Sequence, residues 1–248
     1  MKICLIVKFK LLIFIFTFFF SKNILSHHKI YSPKVEEGRQ SLEWRGHFQL
    51  DNNVDSNKSH HHVLETEYSW NDYWQSEIEF HISDKSDSPL DWEKTELQNQ
   101  IQIYESEYLA SAIYFSYNFN TQGTKGDEIE YKFLNEFSSD SFSFITNFIF
   151  EKEVISNPSG STEFSISNYY LIKKPLIYNL KLGLIGFSEF GNLSKFEVFQ
   201  KQEHNYGFQL ENEFELGENE YEFSIGYLNG LTHNSNEHIL IWNFEIEL

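Results

Sequence analysis

From about residue 40 to its end the chain alternates between two kinds of side chain, and that alternation limits the folds open to it. The stretch YSWNDYWQSEIEFHI, residues 68–82, is representative. Tyr68 and Trp70 share one face, Asn71-Asp72 interrupts, and Trp74, Ile78, Phe80 and Ile82 then share a face again. Gln75, Glu77, Glu79 and His81 fall opposite. A period of two places alternate residues on opposite faces of a strand, whereas a helix would need a period near 3.6. About twelve such segments follow one another to Leu248, and almost no helix-period stretch competes with them. The expected fold class is therefore all-β and antiparallel, with one greasy aromatic face and one acidic face on each strand.

Two settings satisfy such strands. The greasy face can be the core of a soluble sandwich, or it can meet lipid on the outside of a closed barrel. The connections favour the barrel because they alternate in length. Short ones are Asn71-Asp72, Glu105-Ser106-Glu107, Ser138-Ser139-Asp140, Lys173-Lys174-Pro175 and Gly217-Glu218-Asn219. Between them stand longer ones such as DNNVDSNKSH, SDKSDSPLDW, FNTQGTKGDE, EKEVISNPSGS and NGLTHNSNE. Transmembrane barrels have short turns at one end and long loops at the other, while a Greek-key sandwich has no reason for this regularity. A length of about ten residues per segment suits a tilted membrane-spanning strand. Trp44, Tyr68, Trp70, Trp74 and Trp242 read as an interfacial aromatic girdle. The expectation is an up-and-down antiparallel transmembrane β-barrel of about 12 strands.

The N-terminus reads as a targeting segment. MKICLIVKFK carries Lys2, Lys8 and Lys10, LLIFIFTFFF is apolar, and SKNILS is polar. This is the layout of a secretory signal peptide, placed at 1–26 with cleavage after Ser26. A retained membrane anchor is the alternative, but Lys8 and Lys10 interrupt its apolar run. A short segment, 27–40, then leads into the barrel at 41–248, and it is too short to form an internal plug domain. The single cysteine, Cys4, lies in the leader, so neither a disulfide framework nor a thiolate metal site is expected. The net charge of -18 opposes nucleic-acid binding, which needs a basic surface.

The final HILIWNFEIEL places Leu240, Trp242, Phe244, Ile246 and Leu248 on one face. With the leader and the up-and-down strands, it resembles the bacterial outer-membrane β-barrel proteins, whose last strand closes the barrel and carries the assembly signal. That family favours a terminal aromatic, and this chain ends in Leu248. The stretch HKIYSPKVEEGRQSLEWRGHF is similar to the opening of a group of small, uncharacterised, porin-like or transporter-like Gram-negative barrels. The resemblance implies the outer membrane of a Gram-negative bacterium. It also implies partners of three kinds: outer-membrane lipid, the barrel-assembly machinery and small solutes.

With the polar face inward, the lumen acids are Glu43, Glu65, Glu67, Glu77, Glu79, Glu96, Glu130, Glu136, Glu163, Glu211, Glu213, Glu222, Glu245 and Glu247. The inward bases are fewer: Arg45, Lys94, Lys132 and Lys181. A carboxylate-lined channel with low-dielectric walls concentrates cations. The expected function is a passive channel or uptake protein for small cationic or neutral solutes. The alternative is a closed structural or binding barrel acting through its outer loops, because side chains can fill a lumen of this size. By parity His47, His61 and His81 point inward at one mouth, beside Glu65 and Glu79, as candidate ligands for a divalent metal such as zinc, copper or nickel. His27-His28 could add a ligand, and no other cofactor is expected. A third reading is a lipid hydrolase. His233, Ser235 and Asn236 stand in an order similar to the motif of outer-membrane phospholipase A, but they lie in the last outer loop and no Gly follows Asn236. No catalytic residue is assigned on that basis.

Overall fold

A computed structural model describes residues 28–52, 57–84, 90–121, 126–155 and 160–248. The leader expected at 1–26, with Cys4, and His27 lie outside the described residues. Twelve antiparallel strands run in chain order: β1 (Gln40–Leu50), β2 (His60–Asn71), β3 (Trp74–Asp84), β4 (Asp91–Glu105), β5 (Leu109–Asn120) and β6 (Glu128–Ser138). They continue as β7 (Phe142–Glu153), β8 (Glu163–Ile177), β9 (Leu180–Asn192), β10 (Glu203–Leu216), β11 (Asn219–Gly230) and β12 (His238–Glu247). Each pairs with its chain neighbours, and β1 pairs with β12, so the sheet closes and no edge is left unpaired. This closure excludes the soluble sandwich.

The alternation in sequence sorts the two faces. On β1, Leu42, Trp44 and Leu50 are exposed outward, while Ser41, Glu43, Arg45, His47 and Gln49 are buried inward. The same inversion holds on β3, where Ile78 and Phe80 face out and Glu77, Glu79 and His81 face in. An apolar exterior around a polar interior is the opposite of a soluble protein and suits a lipid surrounding. No helix of the described residues is long and apolar enough to cross a membrane.

Turns behave locally as their residues require. The Asn71 side-chain oxygen accepts the backbone N–H groups of Tyr73 and Trp74 at 3.1 and 2.9 Å, closing the β2–β3 hairpin as an Asx turn. One turn sits elsewhere than expected. Lys173-Lys174-Pro175 lies within β8, which continues to Ile177, and the chain reverses at Tyr178, whose φ is +50°. The register slips between Ile172 and Ile177 there, which is how the sheet end accommodates a proline without its N–H. The girdle is also only partly at strand ends. Tyr68, Trp70 and Trp74 cluster beside the β2–β3 turn, whereas Trp44 and Trp242 face each other in mid-strand, rings 6.0 Å apart.

The described segment preceding β1 fills part of the interior. Residues 28–35 run inside the barrel, with Tyr31, Pro33 and Val35 buried, and Glu36, Glu37 and Gly38 are exposed before β1 begins. This placement was not expected from the sequence.

Candidate functional site

The register aligns glutamates into one continuous row. Glu213 pairs with Glu222, Glu222 with Glu245, Glu245 with Glu43, Glu43 with Glu65, Glu65 with Glu79, and Glu79 with Glu96. Strands in a closed barrel tilt, so a register row climbs around the wall rather than circling at one level. This row starts near the β10–β11 turn and ends near the long-connection end of β4. It forms an inclined carboxylate track through the lumen.

Like charges directly opposite each other on neighbouring strands destabilise a sheet. Two unit charges about 4 Å apart repel by about 4 kcal/mol at an effective dielectric near 20. Cations seated along the track relieve this repulsion, and the structure seats several. The Lys181 ammonium lies 2.6 Å from Glu213, and the Arg39 guanidinium lies 2.7 Å from Glu245. Arg45 touches Glu43 and Glu65 through one guanidinium nitrogen and Glu79 through the other, the last at 2.6 Å. Lys94 lies 3.1 Å from Glu96. Beyond the track, Lys132 pairs with Glu130 at 2.7 Å.

Two cations on the track belong to the N-terminal segment rather than to the wall, Arg39 and Lys29. Lys29, in the N-terminal segment, places its ammonium 2.6 Å from Glu65 and 3.7 Å from both Glu43 and Glu77. Neighbouring contacts hold the segment in place. Asn147 uses its side-chain amide as a strand would use its backbone, accepting Tyr31 N–H and donating to Tyr31 C=O, both at 2.9 Å. The Gln100 amide donates to the Ser32 carbonyl at 3.0 Å, and Gln102 accepts Val35 N–H at 2.7 Å. The Lys132 ammonium lies over the Tyr31 ring at 3.6 Å and the Tyr114 ring at 4.0 Å. Lys34 reaches Glu136 at 3.0 Å. A cavity of about 380 Å³ lies beside the segment, lined by Lys29, Arg39, Glu67, Glu77, Glu222 and Glu245 among others.

The opposite wall is different. Tyr169, Ile185, Phe187, Leu228, Ile239 and Ile241 form a buried apolar cluster inside the barrel, joined by Ile145, Leu171 and Ile30 of the N-terminal segment. The Tyr169 ring occupies the space that a Cβ at Gly183 would need, and its hydroxyl donates to Glu211 at 2.8 Å. The uniformly polar interior expected from strand parity is corrected here: where β8, β9, β11 and β12 meet the segment, the lumen carries a second core.

Of the acids singled out from the sequence, Glu43, Glu65, Glu77, Glu79, Glu96, Glu130, Glu136 and Glu211 are buried in the interior. Glu67, Glu213, Glu222 and Glu245 are more accessible and lie toward the end carrying the short turns. His47, His61 and His81 are brought together as neighbours, with ring centroids 5.4 and 5.3 Å apart in succession. Leu240, Trp242, Phe244 and Ile246 lie on β12 against β1, with Leu248 just past its end. Ser235 is engaged structurally: its oxygen accepts His204 N–H at 2.7 Å and its hydroxyl donates to His204 C=O at 3.1 Å, while His233 is exposed. Sequence reasoning missed Lys29 and Tyr31, because the segment holding them has no strand period. It also missed Glu93, which a register shift at His81–Ile82 turns inward beside Lys94.

No family model and no curated protein matches the sequence. Solved structures do match in shape. KdgM porin superposes with a TM-score of 0.56 at 8% identity, over 84% of this chain and 97% of its own. NanC porin gives 0.58 at 10%, over 84% and 98%. The COG4313 outer membrane channel from Pseudomonas putida F1 gives 0.59 at 10%, over 86% and 97%. At such identities the likeness establishes architecture, and the chain has the closed barrel fold of the outer-membrane porins.

Proposed function

We propose that this protein is an outer-membrane channel for small solutes that prefers cations. The observation that carries the reading is the carboxylate track from Glu213 to Glu96, with basic side chains seated along it. Lys29 is the most informative of these. A primary ammonium on a segment that is not part of the wall rests among Glu43, Glu65 and Glu77, as the ammonium of a passing solute would. Low-dielectric walls focus the field of such carboxylates along the lumen. The porin-like fold and the apolar exterior support the membrane setting.

KdgM porin has been solved in complex with a disordered oligogalacturonate, a polyanion. The acidic excess of this lumen is of the wrong sign for that class, so the solute is not carried over from that neighbour. The N-terminal segment supports a second reading, a barrel closed by its own chain and acting through its outer loops. Planar-bilayer recording of the refolded protein across a salt gradient separates them. Discrete steps with a cation-selective reversal potential are expected. Anion selectivity would refute the cation preference, and silence from a protein with heat-modifiable gel migration would favour the closed barrel.

A further inference from the structure

The histidines of the long-loop half form a column that extends beyond the wall. His28, in the N-terminal segment, stacks edge-on against His47 with ring centroids 4.6 Å apart, and His61 and His81 follow. The three wall histidines are buried. Within the column His28 Nδ1 lies 3.2 Å from His47 Nδ1, and His61 Nε2 lies 3.4 Å from His81 Nδ1. At the inner end His81 Nε2 lies 2.7 Å from Glu79 Oε2, and Arg45 holds the other Glu79 oxygen at 2.6 Å.

These contacts determine the chemistry of His81. His81 Nε2 faces two carboxylates, Glu79 Oε2 at 2.7 Å and Glu96 Oε2 at 3.7 Å, and their field favours the proton on that nitrogen, which leaves the Nδ1 lone pair toward His61 Nε2. A carboxylate on the far nitrogen is the usual arrangement behind a metal-bound imidazole, where it sets the tautomer and raises the basicity of the ligand. Tetrahedral zinc with Zn–N bonds of about 2.0–2.1 Å separates its nitrogen ligands by about 3.3–3.4 Å. The His61–His81 pair is already at that spacing, and the His28–His47 pair is close to it. The carboxylate clusters Glu79–His81–Glu96 and Glu65–Glu67–Glu77 are weaker candidates for the same ion. Arg45, Lys94 and Lys29 already neutralise Glu79, Glu96 and Glu65.

We propose that this column binds a divalent transition-metal ion of the zinc, copper or nickel class. His81 Nδ1 and His61 Nε2 are the inner ligand pair, and Glu79 orients His81. His47 and His28 form a second nitrogen pair further along the column, between the wall and the N-terminal segment. The inference goes beyond conduction and stands or falls separately from it.

The test is calorimetric titration of the refolded full mature chain with zinc chloride, with cobalt(II) absorption as a second readout. His61→Ala and His81→Ala should each lower zinc affinity at least tenfold. Glu79→Gln should lower it by roughly 10–100-fold, a loss that a merely histidine-rich loop would not show. His60 and His62 form another imidazole pair, Nδ1 to Nε2 3.1 Å, on the outward side of β2. Their joint replacement by Ala should leave affinity near the starting value. Heat-modifiable migration verifies that each variant is folded. The proposal is overturned by a folded wild-type protein that binds no zinc, or by unchanged affinity after His47→Ala, His61→Ala and His81→Ala together. Binding lost with His60 and His62 alone would equally overturn it.

Discussion

Across β1–β4 and β6 the lumen is walled by Glu43, Arg45, Glu65, Glu79, Glu96 and Lys132; across β8, β9, β11 and β12 it is walled by Tyr169, Ile185, Phe187, Leu228, Ile239 and Ile241. The N-terminal segment runs between them and matches both. Lys29 and Tyr31 turn to the charged wall, while Ile30, between them, packs on the apolar one. An extended chain alternates its side chains, so a short strand-like stretch can serve two unlike surfaces at once. The charged wall holds the segment through ion pairs and shaped hydrogen bonds, and the apolar wall holds it by burial. Electrostatic character, and with it any preference among solutes, resides on the charged wall.

That division can be broken by substitution on either side. The largest effect is expected from Arg45→Met. It removes the shared partner of Glu43, Glu65 and Glu79, takes from buried Glu79 its cation and leaves Glu43 and Glu65 to Lys29 alone, at a cost of about 3–5 kcal/mol. Urea-dependent refolding into phospholipid vesicles measures it, and a loss below about 1 kcal/mol would mean that water or Lys29 already screens the cluster. Phe187→Ala on the apolar wall should cost about 3 kcal/mol through lost burial. It should leave the reversal potential of the channel where it was, since no charge is altered. A shift in selectivity from that variant would show that the two walls are not separate in function.

The smallest effect belongs to the rim. Lys181 pairs with Glu213 at 2.6 Å, but the Glu213 side chain is 38% exposed. Lys181→Ala should therefore change stability by less than about 1 kcal/mol, and high salt should erase what remains. A stability loss comparable to that of Arg45→Met would place the true anchor of the track at its rim.

The charged wall was legible in sequence and the apolar one was not, for a physical reason. Lipid demands an apolar residue at nearly every outward position, so residues such as Leu42, Trp44, Ile78 and Phe80 mark the outer face, and parity assigns Glu43, Glu77 and Glu79 to the other. The interior obeys no uniform demand. In β12, Ile239 and Ile241 point inward while Leu240 points outward, so both faces are apolar and parity carries no chemical label. The barrel, its closure and its alternation of short and long connections follow from the sequence pattern. The segment 28–39 does not, because its partners lie far away in the chain: Tyr31 and Asn147 are 116 positions apart. His28 reads in the sequence as a further candidate ligand, but its place beside His47 depends on the course of the segment, whereas His47 and His61 pair directly through the β1–β2 register. Lys173-Lys174-Pro175 misled because its composition reads as a turn, whereas the sheet extends past it.

Seating of the N-terminal segment against the carboxylate track is the central claim, and conductance tests it most directly. Single-channel recordings of residues 27–248 should be compared with those of the same chain lacking residues 28–39. The shortened chain should give larger unit steps and remain cation-selective, because the obstruction is gone and the Glu43, Glu65 and Glu77 carboxylates that held Lys29 become available. Equal steps from the two proteins would contradict it, since a segment that lies in the lumen cannot be removed without widening the path.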